Sequence, residues 1–335
     1  IMEHERLDFL SSIKLLADRA NIHIETDPGE PRKKDDRASI YNMHEIAARV
    51  FERQINDANA KSAKDYLLNR GLSEETLKTF RVGFAPDSWD TVTLEVMKLG
   101  LSQDVLTRSG LLMPKNEGGY YDRFRNRIMF PIMDINGKVQ AFGGRIFGEA
   151  DGAKYMNSPE TPIYHKGRTL FGLNISRDEI RSSRTAILVE GYMDLIRLYQ
   201  EGFQNVVAGT GTAFTSEQAG LVKRFADKVL VCYDGDAAGQ KAAQKAGLTL
   251  LDKGLDVRII QIPEGEDPDS FFDEKDAKAF QKLIGTALDF MTFVLRANQD
   301  QMDSPVKRTA FLEGMVSELA LMQNEILRGM LAGQL

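Results

Sequence analysis

The stretch that decides the fold spans residues 228–239 and reads KVLVCYDGDAAG. Its first half is a short run of mainly apolar residues, which is typical of a strand that is buried on both faces. Asp234 and Asp236 stand where this strand ends, and a helix-length stretch that Gly254 terminates follows them. A buried strand that ends in carboxylates and leads into a helix is one unit of a parallel α/β sheet.

The same unit recurs on both sides of this stretch. Short apolar strands are predicted at residues 186–189, 206–207, 229–232 and 257–262. Helices are predicted between them at residues 193–201, 215–226 and 237–253. This alternation predicts a parallel sheet with right-handed crossovers, and ligands bind such sheets beyond the carboxyl ends of their strands.

The rest of the chain divides according to its periodicity and the positions of its glycines and prolines. Residues 1 to about 112 are predicted to be mostly helical, and residues 113–180 carry glycines, prolines and short β-like runs typical of an antiparallel module. Asn136 and Gly137 predict a type I′ hairpin there, and the chain beyond about residue 270 has helical periodicity without strands. We therefore predict a mixed α+β subdomain (1–180), a parallel-sheet α/β subdomain (181–270) and a helical subdomain (271–335).

Composition limits the class of protein. Of the 335 residues, 42% are hydrophobic and 27% are charged, which is ordinary for a soluble globular protein and excludes a disordered chain. No apolar run approaches membrane-spanning length and the start does not resemble a signal peptide, so we expect a cytoplasmic protein without a membrane partner. The single cysteine, Cys232, excludes a multi-cysteine zinc site, and we expect no zinc in this chain.

Acidic residues follow three of the predicted strands. Glu190 ends the first, Asp234 and Asp236 end the third, and an acidic run at residues 264–269 follows the fourth. Taken singly, these could be a helix cap, a turn and a solvated loop. Together they converge on one sheet edge, where carboxylates without His or Cys favour Mg²⁺ or Mn²⁺. Two such ions about 3.5–4 Å apart assist in-line phosphoryl displacement.

Basic residues gather upstream. The net charge is −6, yet residues 108–184 contain 13 basic and 8 acidic residues. Every second residue of one run is an arginine, so a strand there would project three guanidinium groups from one face. A solvated face is the alternative to a phosphate-binding patch. The predicted patch consists of Arg123, Arg125, Arg127, Arg145, Lys154, Lys166 and Arg168.

Several long motifs resemble one family. The two acidic strand ends resemble the Toprim domain of primases, topoisomerases and some nucleases. The upstream motifs narrow the resemblance to the catalytic core of bacterial DnaG-type primases over about residues 40–290. The upstream motifs are YDRFRNRIMFPI (121–132), FGGR (142–145), KYMNSPET (154–161) and HKGRTLFGL (165–173), and GYMD (191–194) and EDPD (266–269) resemble the same core.

The resemblance implies a DNA-dependent RNA polymerase domain that makes short primers on single-stranded DNA by nucleotidyl transfer. It implies partners that include NTPs, the RNA primer and, through a domain not in this chain, the replicative helicase of the bacterial replisome. It also implies two Mg²⁺ or Mn²⁺ ions at Glu190, Asp234 and Asp236, whose carboxylates are then the catalytic groups. An outer acidic ring, implied in the same way, comprises Asp194, Asp267 and Asp269.

Other functions use the same residues. A Toprim-type nuclease would use the metal ions with water as the nucleophile, and a topoisomerase would need a tyrosine on a separate domain. A nucleotide- or alarmone-binding regulator would use the basic patch without turnover. The sequence leaves open whether Glu190 binds metal or acts as the general acid or base.

Overall fold

The computed structural model describes residues 16–17, 36–148, 152–211 and 213–335. The chain divides into two compact units, residues 1–36 and 37–335. Residues 1–15 and 18–35, which belong to the part predicted as mostly helical, lie outside the described residues. Within the described ranges, no helix is both long enough and apolar enough to cross a bilayer.

Five helices lie within residues 36–108, and the sequence accounts for the cap of one of them. Ser73 accepts a hydrogen bond from the Thr76 amide at 3.1 Å and caps one of these helices, whose first turn carries two glutamates that favour a helix N-terminus. The helices are α1 (Asp36–Gln54), α2 (Lys61–Asn69), α3 (Glu74–Thr79), α4 (Thr91–Met97) and α5 (Gln103–Arg108).

An antiparallel module follows, as predicted. Its strands are β1 (Gly83–Ala85), β2 (Leu112–Pro114), β3 (Tyr120–Asp122), β4 (Arg127–Met133), β5 (Val139–Ile146) and β6 (Tyr155–Asn157). Four of them form a sheet of order β1-β4-β5-β6, and β2 pairs with β3. Strand β1 lies within the part predicted as mostly helical, because three residues are too few to show a period.

The hairpin between β4 and β5 is present, but the prediction of its turn type is wrong. Gly137 has φ of +81°, whereas Asn136 is not among the residues with positive φ. A type I′ turn needs positive φ at both central residues. Instead, the Asp134 carboxylate accepts hydrogen bonds from the Asn136 and Lys138 amides at 2.9 and 3.0 Å, which closes a longer loop.

The parallel sheet confirms the predicted alternation. Its order is β11-β10-β9-β7-β8, and all neighbours are parallel except β11 and β10. Its strands are β7 (Thr185–Val189), β8 (Val206–Ala208), β9 (Lys228–Val231), β10 (Asp256–Ile259) and β11 (Leu288–Asp289). The helices before and between them are α6 (Leu173–Ser183), α7 (Tyr192–Gln200), α8 (Ser216–Lys223) and α9 (Ala237–Asp252).

Helices complete the chain. They are α10 (Phe271–Glu274), α11 (Ala277–Gly285), α12 (Phe290–Ala297), α13 (Pro305–Ala320) and α14 (Glu325–Ala332). The expectation that this part lacks strands is wrong at one point, because the two residues of β11 pair with β10. So short a strand leaves no alternation of apolar residues in the sequence.

The prediction that three arginines share one strand face is also wrong. Strand β3 ends before Arg123 and β4 begins at Arg127, and Asn126 between them has φ of +48°. The left-handed residue breaks the pleat that the alternation assumed. Arg125 instead lies over the Trp89 ring, with its guanidinium carbon 3.9 Å from the ring centroid. Arg127 is buried and donates to two backbone carbonyls at 3.1 Å.

Tyr192 joins the two sheets. Its ring stacks on Phe130 of β4 at 5.4 Å and meets Phe171 edge-on at 4.8 Å. The neighbouring backbone of β5 comes very close, because a Cβ atom added at Gly143 would lie 2.4 Å from the Tyr192 ring. The glycine therefore allows the antiparallel sheet to pack directly on the first turn of α7.

We predict that Gly143→Ala lowers the free energy of unfolding by about 1–3 kcal/mol, because the added methyl group overpacks a core that cannot expand locally. The matched control is Gly220→Ala in α8, where a Cβ atom would meet nothing within 4 Å. Alanine favours helix at that position, so the control should leave stability unchanged or raise it. Chemical denaturation measures both, and equal stability of the two variants would contradict the packing argument.

Candidate metal centre and nucleic-acid interface

The three predicted acidic strand ends meet at one sheet edge. Glu190 follows β7, Asp234 and Asp236 follow β9, and the acidic loop follows β10. Gly235 explains why the loop lies against the Asp-Gly-Asp turn: its amide donates to the Glu266 carbonyl at 3.0 Å. A Cβ atom at Gly235 would lie 2.2 Å from the Pro263 carbonyl oxygen. Only glycine allows this approach.

Asp236 has a structural role as well. Its carboxylate caps α9 by accepting a hydrogen bond from the Gly239 amide at 2.7 Å. The next turn of the helix lies close to the preceding strand end, since a Cβ atom at Gly239 would lie 2.3 Å from the Asp234 carbonyl oxygen. A carboxylate has two oxygens with about four acceptor sites, so the cap leaves capacity for a second partner.

The electrostatics of the edge favour a cation. Partial burial, followed by the charges of Asp234 and Asp236, raises the pKa of Glu190 to about 7. Burial, followed by the charges of Asp267 and Asp236, raises the pKa of Asp234. One oxygen of Asp234, Oδ1, is buried and has no hydrogen-bond partner. A buried acceptor without a donor beside other carboxylates fits a hard divalent ion.

The three residues of the predicted outer ring also lie close together. Asp194 is buried in the first turn of α7 and accepts hydrogen bonds from the Gly191 amide at 3.0 Å and the Asp269 amide at 3.3 Å. Burial and then the charges of Asp267, Asp234 and Asp269 raise the pKa of Asp194 to about 8. Asp194 therefore links the loops after β7 and β10, while its own charge is disfavoured there.

The loop after β10 is held by ionic and polar contacts. Asp269 forms an ion pair with Arg70, which lies just after α2. Asp267 accepts a hydrogen bond from the Ser270 amide at 2.6 Å. Arg197 of α7 donates to the carbonyls of Arg70 and Phe272 at 2.8 and 2.7 Å. These contacts fix the acidic loop to both the N-terminal helices and the parallel sheet.

No group of three His, Cys, Asp or Glu side chains in the described part of the chain is arranged to enclose a metal ion by itself. Mg²⁺ is usually bound by one or two carboxylates and takes its other ligands from water and substrate phosphates. Glu190, Asp234 and Asp236 offer that kind of partial ligand set. The edge therefore fits ions that share their coordination with a nucleotide.

A cationic surface adjoins the acidic edge. Arg145 lies between the rings of Tyr66 and Tyr155, 5.4 and 5.7 Å from their centroids. Lys154 is exposed and close enough for its charge to lower the pKa of Asp234 against the larger effect of burial. Within the described residues, no carboxylate pairs with the side chains of Arg145, Lys154, Lys166 or Arg168.

One residue that the sequence reasoning missed is Trp89. The residue is 58% exposed, and its ring packs edge-on against Tyr121 at 5.3 Å and carries the Arg125 guanidinium on its face. Such a stack of aromatic rings and guanidinium resembles the surfaces on which single-stranded nucleic acids place their bases. The signal was available, because this is the only tryptophan in the chain.

Comparison with known proteins agrees with this architecture. Residues 50–177 match the family described as DNA primase catalytic core, N-terminal domain, and residues 187–272 match the family described as Toprim-like. The DNA primase of Listeria innocua is 36% identical over 350 residues, an alignment that covers 100% of this chain and 55% of that protein. This chain thus spans about half the length of the curated relatives it matches.

Two solved structures extend the comparison. The DnaG primase catalytic domain bound to ssDNA is 35% identical, with a TM-score of 0.76, and the match covers 89% of this chain and 98% of that chain. The Aquifex aeolicus primase, with zinc-binding and RNA polymerase domains, is 29% identical, with a TM-score of 0.78 and coverage of 100% and 79%.

The acidic edge of a Toprim-like sheet, preceded by a basic antiparallel module, defines a Toprim-containing catalytic core. Within that class the chain belongs to the family of DnaG-type primase catalytic cores.

We predict that Asp234→Asn leaves the thermal midpoint of the metal-free protein unchanged or raises it. The pKa of Asp234 is higher in the folded chain, so its ionised form lowers stability above that pKa, and the penalty disappears as the pH falls. Mg²⁺ at about 100 times its Kd should stabilise the wild type by about 2.7 kcal/mol and the variant much less.

Differential scanning fluorimetry in EDTA and in Mg²⁺ measures both effects. The matched control is Asp276→Asn, which changes an Asp that caps α11 through the Ala279 amide and lies outside the acidic edge. Equal Mg²⁺ stabilisation of wild type and Asp234→Asn would exclude Asp234 as a ligand.

Proposed function

We propose that this chain is the polymerase part of a primase, a nucleotidyltransferase that joins ribonucleotides into short primers on single-stranded DNA. The observation that carries the proposal is the buried, unpartnered Oδ1 of Asp234 at an acidic edge that adjoins an unpaired cationic surface. An acidic edge fits metal ions, and a cationic surface fits phosphates. Primer synthesis needs a metal site and a phosphate-binding surface next to each other.

In the proposed reaction, a ribose 3′ oxygen forms a bond to the α-phosphorus of an NTP. The bond from that phosphorus to the bridging oxygen breaks, pyrophosphate leaves, and the hydroxyl proton is released. Two Mg²⁺ or Mn²⁺ ions at Glu190, Asp234 and Asp236 would lower the pKa of the hydroxyl and neutralise charge on the leaving group. Arg145, Lys154 and Lys166 bind phosphates of the template or the NTP and position them beside the carboxylates.

The exposed Trp89 and the half-buried Arg125 provide the second part of the template site. Their stacked surface lies on the same antiparallel module as Arg145. It offers a flat aromatic face, whereas the surface around Arg145 offers positive charges. Every base has a face that can stack, so this contact binds single strands without reading sequence. The phosphate patch and the stacking surface then bind different parts of each nucleotide.

The remaining roles belong to the same proposal. Asp194, Asp267 and Asp269 form an acidic ring outside the metal ligands, and Arg123 and Arg168 border the nucleic-acid surface. The buried Arg127, which the sequence predicted in the same patch, instead supports the antiparallel sheet through the Gly144 and Ala153 carbonyls. The partners are single-stranded DNA, NTPs, the RNA primer and the replicative helicase, at the bacterial replisome in the cytoplasm. We propose three subdomains with the boundaries 1–180, 181–270 and 271–335, of which the last adds strand β11 to the sheet of the second.

The direct test of the function is incorporation of labelled NTPs on a single-stranded template with and without Mg²⁺ or Mn²⁺. Primase activity requires template- and metal-dependent RNA products that Asp234→Asn and Asp236→Asn abolish. Metal-dependent degradation of the template without any RNA product would instead identify a nuclease, and binding without turnover would identify a regulator.

We predict that Arg145→Ala and Lys154→Ala each flatten the dependence of log K on log salt for single-stranded DNA, by about 0.7 for every phosphate that the variant no longer binds. The weakening should be similar for all base sequences, because phosphates carry no sequence information. Lys278→Ala, on α11, is the charge-matched control and should leave the slope unchanged. An unchanged slope in Arg145→Ala and Lys154→Ala would restrict these residues to the NTP.

We predict a different signature for Trp89→Ala. It should weaken binding of single-stranded DNA by about 1–3 kcal/mol, the range for removal of one stacked base, with little change in the salt slope. Trp89→Phe keeps a stacking face and should retain most of the affinity. Fluorescence anisotropy at several salt concentrations separates the two contributions, and normal affinity of Trp89→Ala would place the template elsewhere.

A further inference from the structure

A cavity of about 570 Å³ opens on the acidic edge, and the proposed function does not use it. Glu190 lines the cavity, while none of the basic patch residues does. The volume falls in the range of small-molecule sites, about 300–1,000 Å³. The residues that matter to its chemistry are Glu190, Phe214, Tyr233, Ala238, Lys241 and Lys245.

Two lysines give the cavity a cationic side. Lys241 and Lys245 are one turn apart on α9, and both are exposed. Neither forms an ion pair among the described residues. Like charges at this spacing destabilise a helix, and a shared anion removes that repulsion. The cavity thus has a carboxylate from the acidic edge and two unpaired ammonium groups.

The helix orders these groups along its axis. Asp236 caps α9 at the acidic edge. At a rise of 1.5 Å per residue, Lys241 and Lys245 follow about 7.5 and 13.5 Å further along. Ala238 and Ala242, on the same side of the helix, also line the cavity and leave its floor open. The half-buried Phe214 provides an aromatic face. A nucleotide that lies along α9 would place its sugar near the carboxylates and its phosphates at the lysines.

We infer that this cavity binds the initiating nucleotide, which supplies the 3′-hydroxyl for the first bond, with its 5′-triphosphate on Lys241 and Lys245. The inference rests on the proposed function, because a primer that begins without a 5′ neighbour needs two nucleotides at the carboxylates. The incoming NTP and the template belong to the basic patch, and Lys154 of that patch lies outside the cavity. The cavity provides the separate place that the first nucleotide requires.

The test is dinucleotide synthesis by the Lys241→Gln/Lys245→Gln variant on a single-stranded template. The initiating nucleotide is supplied either as the nucleoside triphosphate or as the monophosphate. Wild type should show a lower KM for the triphosphate. In the variant, that KM should rise about tenfold and the preference for triphosphate should disappear, because glutamine cannot form charge-assisted hydrogen bonds with the 5′ phosphates.

Two controls separate this role from a general one. Lys253→Gln, at the far end of the same helix, removes one positive charge outside the cavity, against two inside it in the double variant, and should keep the wild-type KM. Extension of a pre-annealed primer uses no initiating nucleotide, so its rate in the double variant should remain within about twofold of wild type.

The outcomes are distinguishable. If the wild-type chain makes no RNA product at all, the proposed function fails. If it makes the dinucleotide and the double variant keeps both the KM and the preference for triphosphate, the lysines are ordinary solvated surface residues and the inference is overturned. An equal loss of initiation and primer extension, at an unchanged thermal midpoint, would also overturn it, because the lysines would then act on every bond formed.

Discussion

The mutual repulsion of carboxylates at one sheet edge is the constraint on which the rest of the structure depends. Parallel topology brings the ends of β7, β9 and β10 together, and burial raises the pKa of Glu190 to about 7 and that of Asp194 to about 8. Such an arrangement costs folding free energy, so neighbouring contacts must fix it. The Arg70–Asp269 ion pair and the backbone packing at Gly235 do so. A bound divalent cation would stabilise the negative charge that these contacts leave unneutralised.

A second requirement is that the cationic surface lies beside this edge. One buried aromatic residue fulfils this requirement by joining the two sheets. Tyr192 follows β7 by three residues, stacks on Phe130 of the antiparallel sheet and donates a hydrogen bond to the Asn157 side-chain oxygen at 2.9 Å. Asn157 donates in turn to the Thr210 carbonyl at 2.7 Å. Because Lys154 precedes β6, which contains Asn157, the same contacts that join the sheets also set the distance between the basic patch and the acidic edge.

Much of this arrangement was predictable, because it depends on local signals. The strand runs, the Thr215 capping box and the glycine that ends α9 each identify an element boundary, and parallel topology then dictates which carboxylates meet. The features that the sequence did not predict correctly depend on non-local contacts or on the conformation of single residues. Strands β1 and β11 are too short to show a period. The alternating arginines imitate a strand, but one left-handed residue, Asn126, breaks it. The pairing of Arg70 with Asp269 joins residues 199 positions apart.

The separation of charge has a consequence for affinity. A chain with a net charge of −6 repels a polyanion at long range, so the cationic surface attracts such a polymer only within about a Debye length, roughly 8 Å at physiological salt. The acidic edge increases this repulsion where the phosphates must come closest. Divalent ions would reduce it locally, whereas the proposed stacking of a base on Trp89 would be barely screened by salt. Binding of template, ions and nucleotide should therefore be mutually reinforcing, because each removes an electrostatic cost that the others would otherwise meet.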